Sequence, residues 1–526
     1  MHAEMARWIE NVTEPDLVAE LSRMKEAAET GDESAFTDAF FQDLSFGTAG
    51  LRGTLGAGTN RMNIYTVGRA TQGFADYLNA HFENPSVAIA RDSRNNGELF
   101  VRTAAAIFAA NGVHAYVYPR ISPVPTLSWA VRDLGCSGGV CVTASHNPAA
   151  YNGYKAYGPD GCQITSEAAA AISAAIESTD IFSGVKSVDF DAALAKGDVT
   201  WIDDAVLERY YDAVLSKSVS NLSADEVAKA PLKLVYSPLN GTGLVPVTTV
   251  LERAGVTDIT VVPEQRDPDA DRVGVAVKDG EDYLLLTGNE MGVLLLDYIC
   301  RMRAERDENL AEKVAVTTIV SSAMVDALAA KYGFELRRCL TGFKYIGDII
   351  TELADAGQAD RFIFGFEESY GYLSGDHVRD KDAVNASLLI CQMAQSYKLQ
   401  GKNLADAMRD LYAEHGYWLN RTVSVSYPGA EGAAAMAAIM ERLRAKAPSE
   451  VAGLAVEGVV DYEDAGTGLP PANVVEFRLA GGNKAIVRPS GTEPKIKLYV
   501  FAKDDTREGA EAMLDSIEAS GRKLLA

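Results

Sequence analysis

Short apolar runs alternate with amphipathic stretches along most of the chain. Residues 87–90, 113–118 and 138–142 are compact apolar runs of strand length, whereas 166–176 spaces its apolar residues as a helix does. The alternation returns at 232–236 and 258–262, then at 314–319, 322–331 and 362–366, with a further helix over 346–353. Strand and helix in succession form βα units, so the pattern predicts an α/β fold built as three successive domains. From residue 421 the order changes: a strand over 422–427, a helix over 433–446 and strands over 474–479, 484–487 and 496–501 predict a small C-terminal α+β domain. Expected domains are 1–205, 206–314, 315–420 and 421–526, which suits a length of 526 residues at roughly 150 residues per domain.

Charge narrows the function classes. Lys and Arg number 49 against 73 Asp and Glu, a formal net charge of −24 that opposes nonspecific binding to nucleic acid or an anionic membrane. A small anionic ligand would need local cations, and these gather in the motifs described next: Arg52, Arg91, Arg94, Lys155, Arg272, Lys344, Lys381, Arg488, Lys495 and Lys497. The six cysteines are scattered, with no CxxC pair, as in a reduced cytoplasmic protein. Residues 1–8 lack the basic and apolar regions of a signal peptide, and no segment is apolar for the length of a bilayer, so a cytoplasmic location is expected.

Five motifs carry candidate chemistry. In the run Asp267, Pro268, Asp269, Ala270, Asp271, Arg272, three carboxylates at alternate positions can converge on one hard divalent cation. An EF-hand would need Gly and Glu where Arg272 and Lys278 stand, which leaves a metal loop of another kind or a solvated acidic turn. The segment from Thr143 through Ala144, Ser145, His146 and Asn147 to Pro148 follows an apolar strand and precedes a turn-rich stretch. That places Ser145 on an exposed loop, as a phosphoryl acceptor or as ordinary turn chemistry. Residues 46–53 contribute Gly47, Gly50 and Gly53 with Arg52 beside them, suited to close approach of a phosphate or to a structural turn. Residues 365–371 hold Glu367 and Ser369, and residues 488–497 combine Arg488, Ser490, Gly491, Thr492 and Lys497 into a set of donors for a phosphate. No GxxxxGK[ST] loop is present, and residues 241–246 lack the third glycine of a dinucleotide fingerprint, so nucleotide cofactors find no support.

With these five motifs following one another along the chain as 46–53, 143–148, 267–272, 365–371 and 488–497, over nearly its whole length, the chain resembles the α-D-phosphohexomutases, the phosphoglucomutase and phosphomannomutase superfamily, and most of all their bacterial phosphoglucomutase branch. The resemblance implies four domains around a central cleft, one motif from each, and an intramolecular phosphotransferase. It implies a phosphoserine at Ser145, with Mg²⁺ bridging that group to Asp267, Asp269 and Asp271, and glucose 1,6-bisphosphate as activator and intermediate. Arg272 would hold the transferring phosphate. Lys155 is the first candidate for general acid/base work; His146, adjacent to the serine, would orient the loop or bind substrate. Thr341, Gly342 and Lys344 match the loop that discriminates the two orientations of the sugar. Glu367 and Ser369 match its reader of the 3- and 4-hydroxyls, and Arg488, Ser490, Gly491 and Thr492 its grip on the nonreacting phosphate, with Lys381 a further substrate-binding candidate. Many members have arginine where this chain has Lys497, so a bidentate contact there is in doubt. The expected reaction interconverts α-D-glucose 1-phosphate and glucose 6-phosphate. Mannose or pentose phosphate as substrate, a metal-dependent phosphatase and a noncatalytic sugar-phosphate sensor stay open as alternatives.

Overall fold

A computed structural model describes residues 2–47, 50–145, 147–238, 242–262, 271–427, 429–490 and 495–525. Its first sheet has six strands in the spatial order Leu51–Thr54, Tyr151–Tyr157, Gly138–Val142, Ser86–Arg91, His114–Val117 and Val199–Trp201. The last four run parallel, and the first two antiparallel to their neighbours. Val87 and Ile89 point into one apolar cluster with Phe74, Phe108 and Tyr154, while Ala88 and Ala90 point into another with Leu127 and Tyr157. Burial on both faces is why these strands read as unbroken apolar runs. Three helices at the start of the chain, within residues 2–40, pack Trp8, Phe36 and Phe40 against Tyr65.

The second region is smaller. Among the described residues it holds a parallel pair, Leu234–Tyr236 with Ile259–Val261, and a hairpin of Val275–Asp279 with Asp282–Leu286. The third sheet has the order Glu335–Cys339, Val314–Thr318, Phe362–Glu367, Gly371–Leu373, parallel except for its last strand. Helix Gly288–Ala304 packs on it, so closely that a Cβ on Gly292 would stand 2.3 Å from the Phe366 ring. Second and third regions share a core, since Tyr210, Val247 and Val250 cluster with Val316, Ile346 and Val384.

The last sheet is antiparallel and six-stranded: Tyr417–Ser426, Lys495–Asp504, Asn483–Pro489, Val475–Leu479, Leu454–Asp461 and Glu450–Val451. Helices Gly429–Ala445 and Arg507–Leu524 cover one face through Met440, Leu443, Leu514 and Ile517. On the other face, Ile486, Tyr499 and Phe501 meet Ile319, Val320 and Leu340 of the third region. Lys484 Nζ donates to the Ile319 carbonyl at 3.1 Å across this contact. The expected class, three α/β units followed by a small α+β unit, is the fold observed. No helix among the described residues is long and apolar enough to cross a membrane.

Candidate active site

Ser145 stands just past the buried strand Gly138–Val142, in the left-handed region at φ +54°. A serine is strained there, so the surrounding contacts must impose the conformation. Arg94 supplies most of them. Its guanidinium donates to the carbonyls of Ser145 and Asn147, and to those of Pro148 at 3.0 Å and Tyr151 at 2.9 Å. Buried Asp92 orients Arg94 through a 3.3 Å ion pair and accepts from Thr143 Oγ1 at 2.6 Å, while Thr143 Oγ1 in turn accepts from the Ser145 N–H at 2.9 Å. Burial raises the Asp92 carboxyl above its ordinary value despite these donors. Arg52 reaches the same loop, donating to Asn147 Oδ1 at 3.3 Å. Gly50 permits the approach of its segment: its φ is +83°, and a Cβ would lie 1.8 Å from the Tyr154 carbonyl oxygen.

The strand bearing Lys155 pairs with the one leading into the serine loop, Cys141 opposite Lys155, and the Thr143 N–H donates to the Gly153 carbonyl at 3.1 Å. Buried Lys155 points its ammonium at Asp271 Oδ2, 4.0 Å away. Lys381, from the third region, approaches the same oxygen at 3.5 Å and donates to Asp380 Oδ1 at 3.0 Å. Arg272 Nε stands 3.7 Å from the other oxygen of Asp271. Burial alone would raise the Asp271 carboxyl, but Lys381, Arg272 and Lys155 outweigh it and hold the group below the usual carboxylate range. Asp380 is itself fixed by Tyr157 and Gln163 of the first region, each donating to its Oδ2 at 3.0 Å. Three regions of the chain therefore meet at Asp271.

The third region adds Glu367, buried at the end of its strand, which accepts from the Gly342 N–H at 2.9 Å. That bond ties the candidate sugar-reading turn to the loop of Thr341, whose Oγ1 is buried with no partner among the described residues. Gly342, at φ +126°, leads into helix Phe343–Asp355, and the Lys344 ammonium lies over the Tyr345 ring at 4.7 Å, its pKa lowered by burial. Ser369 is half-buried on the turn after Glu367. In the last sheet Arg488 and Lys497 face each other across neighbouring strands, and the Ser490 N–H donates to the Lys495 carbonyl at 2.8 Å. His146, Asp267, Asp269, Gly491 and Thr492 lie outside the described residues.

A hard cation needs carboxylate oxygens not already occupied by hydrogen bonds. Asp271 Oδ2 meets that requirement: it is buried and accepts no hydrogen bond from any described residue, its lysine neighbours standing at ion-pair distance. The described residues hold no group of three or more metal-ligating side chains, the other two carboxylates of the acidic run being outside them.

Comparison with known proteins agrees with this architecture. Profiles of phosphoglucomutase/phosphomannomutase alpha/beta/alpha domains I, II and III match residues 43–181, 208–271 and 287–415, and the C-terminal domain profile matches 431–516. A phosphoglucomutase from Staphylococcus aureus (strain USA300) is 32% identical over 566 aligned positions, spanning 97% of this chain and 98% of its own length. One from Staphylococcus haemolyticus (strain JCSC1435) is 32% identical over 89% of this chain and 92% of its own. Among solved structures, a Thermus thermophilus protein assigned as a phosphomannomutase superposes with a TM-score of 0.69 at 20% identity, covering 92% of this chain and 99% of its own. The parafusin phosphoglucomutase of Paramecium gives 0.65 at 16% identity, covering 92% and 95%. The fold and these matches define an intramolecular phosphotransferase of the isomerase class. The chain belongs to the phosphoglucomutase/phosphomannomutase family, the α-D-phosphohexomutases.

In the sequence Arg94 stands only as one of the motif cations, and neither Asp92 nor Asp380 carries a motif that marks it. The signal for Arg94 was faint, since its partners are carbonyls, which every residue carries. Its importance is testable. Arg94→Met should lower kcat about 10²-fold, the scale expected for misplacing a reacting group by about an ångström, with a much smaller change in KM. Unchanged kcat would show that the serine loop holds its shape without the clamp.

Proposed function

We propose that the protein interconverts α-D-glucose 1-phosphate and glucose 6-phosphate through a phosphoserine at position 145, as a cytoplasmic enzyme of sugar-phosphate metabolism. The observation that carries the reading is the meeting of Lys155, from the strand paired to the serine loop, with Asp271 and Lys381 from two other regions. Long alignments with phosphoglucomutases support the choice of glucose. A structural relative with a TM-score of 0.50, an N-acetylphosphoglucosamine mutase from Aspergillus fumigatus, was crystallised with glucose 1,6-bisphosphate.

In this reading the sugar 6-hydroxyl attacks the phosphorus of phosphoserine 145. The new O6–P bond forms as the Ser145 Oγ–P bond breaks, and a proton leaves the sugar hydroxyl while one returns to Ser145 Oγ. Lys155 handles that proton, with His146 the alternative. Glucose 1,6-bisphosphate then turns over in the cleft and returns its C1 phosphoryl group to Ser145. Glu367 and Ser369 read the hydroxyls, Thr341, Gly342 and Lys344 check the orientation, Lys381 lines the sugar site, and Arg52 and Arg272 hold phosphate oxygens. Arg488, Ser490, Gly491, Thr492 and Lys497 grip the nonreacting phosphate. Asp267, Asp269, Asp271 and the phosphoserine would hold Mg²⁺, which when bound supplies charge neutralisation at the transferring group.

A coupled assay with several sugar 1-phosphates, with and without glucose 1,6-bisphosphate, tests the reading. Glucose and mannose share the 3- and 4-hydroxyls, whereas galactose inverts C4 and leaves a buried acceptor unmatched, a penalty of about 1–3 kcal/mol. Glucose 1-phosphate should be at least as good as mannose 1-phosphate in kcat/KM, with galactose 1-phosphate far behind. Equal turnover of galactose and glucose would sink the assignment, and release of inorganic phosphate would indicate a phosphatase.

A further inference from the structure

Asp380 and Lys381 lie between strand Gly371–Leu373 and helix Ala383–Leu399, and both are buried. Both oxygens of the Asp380 carboxylate are taken. Tyr157 and Gln163, from the first region, donate to Oδ2 at 3.0 Å each, while Oδ1 accepts from the Lys381 backbone N–H at 2.8 Å and from the Lys381 ammonium at 3.0 Å. These donors fill the roughly four acceptor sites of a carboxylate, which leaves none for a metal ion. Asp271 is the reverse case: its Oδ2 accepts no hydrogen bond from any described residue, with the Lys381 ammonium 3.5 Å away and that of Lys155 farther, at 4.0 Å. Among the described residues, Asp271 and Asp380 are the two ion-pair partners of Lys381. The lysine stem cannot retreat. It runs so close under Gly371 that a Cβ there would stand 2.2 Å from Lys381 Cδ, and the Phe343 ring lies 5.4 Å from the ammonium. A buried ammonium needs a carboxylate, so this one is divided between the saturated Asp380 and the open Asp271.

We infer that Asp380 is a positioning residue for the metal: by holding the Lys381 ammonium against itself, it keeps Asp271 Oδ2 open to a divalent cation. The inference rests on the reading above in which Asp271 is a metal ligand. An ammonium closed on Asp271 Oδ2 and a metal ion bound there exclude each other, because both are cations and both claim the same lone pairs. With Asp380 made neutral, Lys381 closes on Asp271 and a metal ion must displace it. Tyr157, which fixes Asp380, lies two residues past Lys155 on the strand Tyr151–Tyr157 that pairs with the one leading into the serine loop. The region that carries Ser145 thereby sets how available the Asp271 oxygen is.

The test is titration of Mn²⁺, a hard cation that takes the same oxygen ligands as Mg²⁺, into the dephosphorylated, chelator-treated protein. Electron paramagnetic resonance of the free ion gives a Kd without any turnover. Asp380→Asn should raise that Kd about tenfold, the scale for losing an outer group that orients a metal ligand. Lys381→Met should lower it, and in that background Asp380→Asn should change it by no more than about twofold, because the ammonium it restrained is gone. A carboxylate acting only through its charge would weaken binding by the same factor in both backgrounds. That result overturns the inference and leaves Asp271 as a metal ligand. If Asp380→Asn alone does not fold, Lys381→Met is compared with the double variant, which removes the buried pair as a unit. Equal Kd values, both below the native one, support the inference; a double variant returned to the native Kd overturns it. A native protein that binds no Mn²⁺ overturns the metal reading and the inference with it.

Discussion

Ser145→Ala is expected to lower kcat by several orders of magnitude and to leave the unfolding midpoint where it is. The first effect follows if the hydroxyl is the covalent acceptor, because both half-reactions pass through it and no other group on the loop replaces it. The second follows from the contacts that hold the loop. Arg94 binds carbonyls, and Thr143 receives the Ser145 N–H, so the backbone anchors survive loss of the hydroxyl. Alanine at φ +54° carries a strain similar to that of serine. Steady-state kinetics and thermal unfolding check the pair of outcomes, and near-normal turnover would remove Ser145 from the reaction.

Asp271→Asn should damage both stability and turnover. Asp271 is 4% exposed and offsets the charges of Lys155 and Lys381, which are 5% exposed each. Removing its charge leaves buried ammonium groups short of compensation, a loss of about 3 kcal/mol on the scale measured for broken buried pairs, although Lys381 keeps Asp380. The sign of the pH dependence is set by the depressed carboxyl. Its contribution is complete above the unfolded value and disappears as pH falls through the folded one. The stability difference between the proteins should therefore be constant above about pH 5 and close in acid. Magnesium activation should need a higher concentration in the variant. A variant of unchanged stability and unchanged magnesium response would separate Asp271 from both roles.

The βα rhythm was legible because its strands are buried on both faces, and Gly138–Val142 is the clearest case. Strand Tyr417–Ser426 starts earlier than the apolar pattern indicates, since Asn420 and Arg421 pair with Phe501 and Val500 through backbone alone. Leu454–Asp461 escaped because its half-buried residues alternate with exposed ones. At the site, the motif residues were readable as local runs, and the structure brings Lys155, Asp271, Arg272 and Lys381 together. What the sequence hid is what distance in the chain creates. Asp380 matters through Tyr157 and Gln163, more than two hundred residues away.

The central claim is that the phosphoryl group travels through Ser145. It is tested most directly by mixing dephosphorylated enzyme with one equivalent of glucose 1,6-bisphosphate and following the intact mass of the protein. The account predicts the gain of a single phosphoryl group on Ser145, released again on adding glucose 1-phosphate, and no gain in Ser145→Ala. Phosphorylation of the alanine variant, or mutase turnover by an enzyme that never gains the mass, would contradict it.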